Sequence, residues 1–357
     1  MTDSLIFIYS LFFISALIFS LIINRFLLKF ARNLGIRNTS ETIIRWSSTS
    51  KPALGGISFY IIFLFSVICI SFLIPAYQEF FNLQTLGILV VATIGFLTGL
   101  FDDAYNTHPW IKFFSQLLCG VILIFTGTYI TIFESQLLNY SITLFWVVGM
   151  MNSINMLDNM DGITTIVSLS VAVIIFTGLM LREEWMNPLL IIVIGLMAVL
   201  LGFLYYNWNP SRMYMGDTGS QFLGVLLASL GINFFWNGAG FSMESSSLMR
   251  FLSVAIVFAL PIIDTTTVFY KRIARGRSPF IGGKDHTTHH LSYLGLNDKQ
   301  VALVFTALSL VSFFLAVSMT HFVRTWQVFH HILYGSFFLV VFLFLFIVGN
   351  LNRSKSY

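Results

Sequence analysis

Long apolar runs alternate with short polar segments along the whole of this 357-residue chain. Each run has close to the roughly 20 residues that a helix needs to cross the hydrocarbon core of a bilayer. The pattern therefore predicts an all-α polytopic integral membrane protein with about eleven transmembrane helices in a single domain, residues 1–357. The first run is too long for the core of a signal peptide and is interpreted as the first span. The runs cover residues 5–28, 54–75, 84–101, 112–130, 141–156, 163–181, 188–206, 220–236, 251–270, 301–320 and 331–349.

The composition supports this interpretation and excludes an ordinary soluble domain. Hydrophobic residues make up 57% of the chain and charged residues only 10%, whereas soluble domains carry about 25% charged residues. Cys69 and Cys119 both lie inside apolar runs, which indicates packing roles rather than a disulfide or a metal site. The lipid bilayer is thus the expected environment, and no nucleic-acid partner is predicted.

The distribution of basic residues predicts the orientation of the chain. All Lys and Arg residues except Arg182, Arg250 and Arg324 fall on one side of the predicted topology. Cytoplasmic loops carry the excess of Lys and Arg, so this side is predicted to be cytoplasmic, with the N-terminus outside and the C-terminus inside. The predicted cytoplasmic loops are about 29–53, 102–112, 157–162, 207–219 and 271–300.

Short acidic motifs lie at the edges of the apolar runs, where a carboxylate costs free energy unless it is solvated, paired or bound to a metal. In the predicted topology they all fall on the cytoplasmic side of the membrane. We therefore predict one shared cation site, and hence the active site, at the cytoplasmic face. The polar residues on this face are Asp102, Asp103, Asp158, Asp161, Asp217, Asp285, His286, His289 and His290.

Each acidic motif, taken alone, also has a structural interpretation. Asp102 and Asp103 repel each other unless a cation lies near them, and Mg²⁺ takes carboxylate oxygens together with substrate phosphates. The alternative for this pair is a solvated helix end. Asn155, Asp158 and Asp161 are spaced three residues apart, which on a helix would place them on one face.

Asp217 lies in a Gly-flanked segment at the start of the eighth run. A carboxylate and backbone N–H groups in such a segment can face a phosphate or a metal. An N-cap is the alternative, because Asp, Thr and Ser all cap helices well. Just upstream, Trp208 or Tyr214 can stack on a base and Asn207 can read its edge, although an interfacial aromatic belt explains the two aromatic residues at least as well.

The long loop between spans nine and ten is basic and Gly-rich. Arg275 and Arg277 suit phosphate binding, whereas Lys271 and Arg272 are interpreted as juxtamembrane charges attracted to anionic lipid. Asp264 lies within the ninth run. An acid inside a span is a functional candidate by default, and the alternative is a bond to a neighbouring helix.

Taken together and in order, these motifs resemble the polyprenyl-phosphate N-acetylhexosamine-1-phosphate transferases, the superfamily called glycosyltransferase family 4, which includes bacterial enzymes of cell-envelope synthesis. The resemblance covers most of the chain. It implies transfer of N-acetylhexosamine-1-phosphate from a UDP-sugar to undecaprenyl phosphate with release of UMP, in the bacterial inner membrane. It also implies Mg²⁺ as the cofactor, with Mn²⁺ possible, and a homodimer. The matching segments are Leu54–Gly56, Asp102–Asp103, Asn155–Gly162, Met215–Ser220 and Asp285–Leu291.

The resemblance further implies a role for each site residue. Those with implied catalytic roles are Asp102, Asp103, Asp217, His286 and His289. The implied metal ligands are Asp217 and Asp158. The resemblance also implies that the phosphates, the metal–nucleotide complex or the uracil ring are bound by Lys112, Asn155, Asp158, Asp161, Asn207 and Tyr214. The guanidinium chemistry of Arg275 and Arg277 adds these two as phosphate-binding candidates.

This sequence departs from the family pattern at three places. Asn159 replaces the usual Gly of the acidic motif, Asn106 stands where many relatives carry a third Asp, and the histidine segment lacks three consecutive His residues. The last departure favours the O-antigen and teichoic acid branch, with GlcNAc-1-phosphate as the expected group. The alternatives are the same chemistry with another UDP-sugar, including the peptidoglycan lipid I reaction, and a proton-coupled transporter, which would carry acids near mid-membrane on broken helices.

Overall fold

The structure, a computed structural model, describes residues 2–33, 51–73, 82–238, 241, 245–278 and 283–351. Throughout these residues the regular structure is helical, apart from one isolated parallel bridge between Ala53 and Tyr214. Most of the predicted loop at 29–53 lies outside the described residues. The helices are α1 (Thr2–Asn33), α2 (Gly55–Leu73), α3 (Leu83–Tyr105), α4 (Pro109–Phe125), α5 (Gln136–Leu157), α6 (Ile163–Leu181), α7 (Leu190–Asn207), α8 (Gly216–Gly231), α9 (Ser247–Val257), α10 (Ala259–Ala274), α11 (Thr287–Tyr293), α12 (Asp298–Val317) and α13 (Val328–Leu351).

The predicted all-α polytopic fold is confirmed. Among the described residues, eight helices are long and apolar enough to cross a membrane, and α9 and α10 together form a ninth such unit that is bent by 80°. Two shorter apolar helices, Gly55–Ile70 and Pro109–Phe125, correspond to the second and fourth predicted runs. Each predicted run therefore coincides with one helical unit, while the number of helices that cross the bilayer stays a prediction.

The ninth run is broken, so residues 251–270 do not form one straight helix. Phe258 separates α9 from α10, with φ −106° and ψ 23°. Pro261 accounts for the break, because proline has no N–H to donate to the carbonyl four residues earlier and its ring crowds that carbonyl. α10 then carries Asp264 into the protein, where its side chain is fully buried.

The helix α8 lies at the centre of the bundle. Within Gly216–Trp236, 94% of an apolar stretch of 18 residues is buried inside the protein, against 22% within Ser4–Ala31 and 28% within Val328–Leu351. α8 packs against α2, α3 and α5.

Two glycines allow the neighbouring helices to approach the first turn of α8. A Cβ on Gly99 of α3 would lie 2.1 Å from the carbonyl oxygen of Asp217. A Cβ on Gly56 of α2 would lie 2.1 Å from the backbone nitrogen of Gly219. Any side chain at either position would push the helices apart, so the glycines fix how closely α2 and α3 pack against this turn.

Candidate active site

Four helix ends meet at one end of the bundle. Asn106 is the C-cap of α3 and adopts the left-handed conformation at φ 50°, which asparagine tolerates better than most residues. His108 caps the N-terminus of α4 with its side chain, so the chain reverses within a few residues. The reversal places Lys112 of α4 opposite Asp102 of α3.

The ammonium group of Lys112 lies at the centre of the resulting cluster. It donates to Oδ2 of Asp102 at 3.1 Å and to Oδ1 of Asn155 at 3.4 Å, and it contacts Oδ2 of Asp217. An ammonium group has three donors, and here they meet three acceptors from α3, α5 and α8. The polar motifs of three separate helices therefore come together around one side chain, which we call the Lys112 cluster.

Neutral donors hold each carboxylate of the Lys112 cluster through its other oxygen. Oδ1 of Asp102 accepts from the N–H and the hydroxyl of Thr107 at 3.0 and 2.6 Å. Oδ1 of Asp217 accepts from Nδ2 of Asn155 at 2.8 Å, and the same nitrogen donates to the hydroxyl of Ser220 at 2.8 Å. Both Oδ2 atoms are thereby directed at the same cation by contacts that do not involve it.

Asp103 has a different environment from its neighbour Asp102. Its Oδ1 accepts from the N–H of Asp217 at 3.0 Å, and its Oδ2 accepts from the N–H and the hydroxyl of Thr218 at 2.8 and 2.6 Å. Met215, at the N-cap position of α8, makes no side-chain cap. Asp103 therefore caps α8 from another helix. Its negative charge also interacts favourably with the positive N-terminal end of the helix dipole.

Amide side chains one helical turn deeper in the bundle support the Lys112 cluster. Gln116 donates to Oε1 of Gln221 at 3.0 Å, and Asn152 donates to Oε1 of Gln116 at 2.7 Å. Buried polar groups that bond one another in this way specify one arrangement of the helices around them. The amide layer thus fixes the relative positions of α4, α5 and α8.

Asn155, Asp158 and Asp161 do not share a helix face, so that prediction is wrong. α5 ends at Leu157, and the chain turns before α6 begins. Gly162 adopts a positive φ of 79° in this turn, a conformation that glycine reaches at little cost. Asn155 reaches the Lys112 cluster from the last turn of α5, whereas the two acids lie in the following turn.

Asp161 belongs to a second cluster. It accepts from the hydroxyl and the N–H of Ser211 at 2.7 and 2.9 Å and from Asn209 at 3.0 Å. Lys51 lies 3.5 Å from the carboxylate and 5.1 Å from the ring centroid of Tyr214. These contacts attach the segment between α7 and α8 to the turn after α5. The substrate-binding roles implied for Asp158 and Asp161 stay predictions.

Asn207 is buried, with 2% of its surface exposed. Its Oδ1 accepts from the N–H of Gly162 at 3.1 Å and from the hydroxyl of Thr165 at 2.8 Å, and its Nδ2 donates to the carbonyl of Met213 at 3.0 Å. The amide therefore links the start of α6 to the segment between α7 and α8 in this structure. Tyr214 is only partly buried. Contact of either residue with uracil stays a prediction.

The histidine segment forms a third, buried cluster between α10 and α11. Nδ1 of His286 lies 2.9 Å from Oδ2 of Asp264, whose Oδ1 accepts from the N–H and the hydroxyl of Thr287 at 2.8 and 2.6 Å. Thr288 donates to Oδ1 of Asn159 at 2.5 Å. Asp264 thus bonds a neighbouring segment, and Asn159, where the family pattern has Gly, links that segment to the acidic turn after α5.

Burial determines the charges in the histidine segment. Arg272 is buried and binds Asp285 through two nitrogens at 2.8 and 2.6 Å, and Lys271 is buried as well. The interpretation of these two residues as lipid-facing charges is therefore wrong. Burial disfavours the charged form of Asp285, but the bonds from Arg272 outweigh it and hold the pKa of that carboxyl below its usual range.

Burial also lowers the pKa of His289 to about 3 and the pKa of His290 to about 4. Both rings are consequently neutral at pH 7. Arg275 is the partly buried C-cap residue of α10, and Arg277 is exposed just after it. The catalytic and phosphate-binding roles implied for these residues and for His286 stay predictions.

The Lys112 cluster fits a hard divalent cation. Its acceptors are two carboxylates and one amide carbonyl, which Mg²⁺ and Mn²⁺ favour, and they already surround one positive charge. Among the described residues, no three His, Cys, Asp or Glu side chains converge as a metal site, so Asp158 does not complete a triad with Asp102 and Asp217. Substrate phosphates would supply further ligands, as is usual for Mg²⁺. Asp158 as a metal ligand stays a prediction.

Sequence reasoning missed three residues of this site, namely Thr107, Asn152 and Gln221. Helical spacing was an available signal for two of them, because Asn152 precedes Asn155 by three residues and Gln221 follows Asp217 by four, and such pairs share a helix face. Thr107 lies outside a helix and offered no comparable signal.

Comparison with known proteins gives one consistent family. Residues 85–235 match the profile described as glycosyl transferase family 4, and this segment contains every member of the Lys112 cluster. The chain is 28% identical to the probable undecaprenyl-phosphate N-acetylglucosaminyl 1-phosphate transferase of Bacillus subtilis, over 75% of this chain and 72% of that protein. It is 29% identical to the decaprenyl-phosphate N-acetylglucosaminephosphotransferase of Mycobacterium leprae, over 72% and 70%. It is 28% identical to the phospho-N-acetylmuramoyl-pentapeptide-transferase of Streptococcus pneumoniae, over 71% and 77%.

Proposed function

We propose that the chain is a member of glycosyl transferase family 4 and that it transfers N-acetylglucosamine-1-phosphate from UDP-N-acetylglucosamine to undecaprenyl phosphate. An oxygen of the lipid phosphate forms a bond to the sugar-bearing phosphorus of the donor. The bond from that phosphorus to the UMP oxygen breaks, and UMP leaves. The other product is undecaprenyl-diphospho-N-acetylglucosamine, which initiates a cell-envelope polysaccharide.

The convergence of Asp102, Asn155 and Asp217 on the Lys112 ammonium carries this proposal. Both substrates are anionic, so their phosphates repel each other unless cations lie between them. Catalysis of phosphoryl transfer consists largely of positioning the reactants and stabilising charge on the transferred group. A set of fixed oxygen ligands next to a lysine supports both tasks.

Different residues of the site have different proposed roles in these two tasks. Asp102 and Asp217 would hold a divalent metal ion, Mg²⁺ in our proposal with Mn²⁺ as the alternative, and the bound ion would supply charge neutralisation at the diphosphate. Asp103 keeps the first turn of α8, and hence Asp217, in position. The nucleophile needs no strong base, because a phosphate monoester with a second pKa of about 6 is largely ionised at pH 7.

Release of UMP from defined substrates tests the proposal. The purified protein is incubated with undecaprenyl phosphate, Mg²⁺ and UDP-N-acetylglucosamine, and UMP is measured. We expect turnover by the wild-type protein and a loss of at least about 100-fold with Asp217→Asn, because the metal ion that would stabilise the transferred group loses one charged ligand. Glu134→Gln, an exposed acid in the loop before α5, is the matched control and should retain turnover. A folded protein that releases no UMP with any UDP-sugar contradicts the proposal.

A second donor is tested in the same assay, because one relative is a phospho-N-acetylmuramoyl-pentapeptide-transferase. We propose N-acetylglucosamine because the relatives from Bacillus subtilis and Mycobacterium leprae are both named for it. UDP-N-acetylmuramoyl-pentapeptide should therefore give less UMP than UDP-N-acetylglucosamine at equal concentration. The reverse order would assign the chain to the lipid I reaction.

The protein is a multi-pass protein of the bacterial inner membrane. We propose that the Lys112 cluster faces the cytoplasm, in agreement with the distribution of basic residues. The lipid phosphate would then approach from within the bilayer and the nucleotide sugar from the cytosol. The homodimer implied by the family resemblance stays a prediction.

A further inference from the structure

The ammonium group of Lys112 uses the same three oxygens that suit a divalent cation. Its acceptors are Oδ2 of Asp102, Oδ1 of Asn155 and Oδ2 of Asp217. Two carboxylates and one amide carbonyl are hard oxygen ligands, which Mg²⁺ binds at about 2.0–2.1 Å. One set of oxygens therefore suits two kinds of cation.

Two cations cannot occupy this location together. Two positive unit charges about 3 Å apart repel each other strongly at a partly buried site, and a divalent ion doubles that repulsion. The ammonium lies on a flexible four-carbon stem with several rotatable bonds. Lys112 is thus the partner that can move, whereas the oxygens are fixed.

The oxygens remain in place when the lysine leaves. Thr107 holds Asp102 through Oδ1, and the Asn155 amide nitrogen holds Asp217 through Oδ1. Asn155 is itself bonded to Ser220. None of these contacts involves Lys112, so departure of the ammonium leaves a preformed set of three oxygens rather than a collapsed one.

We propose that Lys112 is a tethered competitor for the metal, an internal cation that occupies the metal position until a divalent ion displaces it. The inference rests on the proposed function and adds a sequence of events to it. Metal binding releases the ammonium group, and the released group becomes available to the substrate phosphates only at that stage. Without metal, Lys112 neutralises the acids and has no free donor for a phosphate.

Lys51 provides a matched control for this behaviour. The side chains of Lys51 and Lys112 have the same exposure, 16%, and each lies beside a carboxylate. Lys51, however, approaches an Asp161 whose two oxygens already accept bonds from Ser211 and Asn209. A metal ion at the Lys112 cluster should therefore leave Lys51 where it is.

Calorimetric titration of the full-length protein in micelles with Mg²⁺ alone, without substrates, tests the competition. Lys112→Met should bind Mg²⁺ at least tenfold more tightly than the wild type, because no internal cation has to be displaced. Lys51→Met should stay within twofold of the wild type. Adding Asp217→Asn to Lys112→Met should abolish the tight site. Equal or weaker binding by Lys112→Met, or a tight site that survives Asp217→Asn, would overturn the proposal.

Amine labelling of the wild-type protein tests the release without any variant. Brief acetylation, read by mass spectrometry, should modify Lys112 at least threefold faster with saturating Mg²⁺ than without it, while labelling of Lys51 stays constant. Unchanged labelling of Lys112 would overturn the proposal even if Lys112→Met fails to fold. Both experiments omit the substrates. A protein that exchanges Lys112 for Mg²⁺ but releases no UMP would contradict the proposed function alone, and one that releases UMP without the exchange would contradict this inference alone.

Discussion

Oδ2 of Asp264 lies 2.9 Å from Nδ1 of His286, and both groups are buried where α10 meets the start of α11. The other oxygen of the carboxylate accepts two bonds from Thr287. A carboxylate accepts and does not donate, so Nδ1 carries the proton in this pair and the orientation of the ring is fixed. The acid inside the ninth apolar run therefore attaches the histidine segment to the membrane-spanning helices.

We expect Asp264→Ala to destabilise the protein by about 3 kcal/mol or more, because it leaves the buried His286 and Thr287 groups without their acceptor. Thermal unfolding in detergent, followed by intrinsic fluorescence, measures the change. Glu134→Gln, in an exposed loop, is the control and should unfold at the wild-type temperature. A wild-type unfolding temperature for Asp264→Ala would show that the carboxylate does not hold the segment.

The two adjacent acids of α3 should respond differently to substitution. Asp103→Ala removes the cap of α8 and should cost about 1–2 kcal/mol of stability, with turnover falling because Asp217 loses its support. Asp102→Asn removes a charge that faces Lys112 and should lower turnover with a smaller change in stability. Unfolding temperature and UMP release are measured on both variants. Equal stability losses would contradict the separation of the two roles.

Close packing at Gly99 should be essential to the site. Gly99→Ala places a methyl group 2.1 Å from the carbonyl oxygen of Asp217, so the first turn of α8 must move and UMP release should fall at least about 100-fold, as expected for a displacement near 1 Å at a reacting centre. Gly149→Ala is the matched control, because nothing lies within 4 Å of a Cβ at that helical position. Similar activities of the two variants would argue against the close approach.

Acidification below pH 7 should destabilise the histidine segment. Burial lowers the pKa of His289 to about 3 and that of His290 to about 4, so below about pH 6.5 the unfolded chain binds protons that the folded protein does not. The free energy of unfolding has its full value above that pH. It declines as the pH falls towards the pKa values of the folded protein, by about 2 kcal/mol for each ring at pH 5. Neighbouring charges on Asp264, Asp285, Lys271 and Arg275 also act on these rings.

Unfolding temperatures at pH 7.5 and pH 5 measure this effect. His289→Gln removes one of the two titrating rings, so its unfolding temperature should depend less on pH than that of the wild type. The same pH dependence in both proteins would show that His289 is not a source of the acid sensitivity.

The orientation of the chain can be tested by cysteine labelling. Cys69 and Cys119 are replaced by Ala, and single cysteines are introduced as Lys299→Cys, near the start of α12, or Glu134→Cys. Asp298 bonds Asn209 at 3.3 Å, so Lys299 lies at the same end of the bundle as the second cluster. A membrane-impermeant maleimide added to intact cells should label Glu134→Cys and not Lys299→Cys. The opposite result would invert the topology.

Hydropathy predicted most of the fold because a bilayer imposes one strong requirement on helix length and composition. Local backbone chemistry altered one span, where Pro261 interrupts the ninth run. Hydropathy alone does not reveal such a break, since the residues on both sides are apolar.

The candidate site was predicted less completely. The order of spans and the basic residues correctly brought Asp102, Asn155 and Asp217 to one end of the bundle. The contacts between side chains of different helices could not be predicted from the sequence, because they depend on distances between helices. The capping of α8 by Asp103 and the burial of Arg272 against Asp285 are both contacts of this kind.

The central position of α8 has a mechanical consequence. Helices on the periphery, such as α1 and α13, are mostly left uncovered by the rest of the described protein, whereas the span of α8 is almost wholly enclosed by it. Changes in bilayer thickness act first on lipid-facing helices, which tilt to accommodate them. We therefore expect the position of Asp217 to change little with bilayer thickness. Lipid composition should alter the rate at which the lipid acceptor reaches the site more than the rate of phosphoryl transfer there.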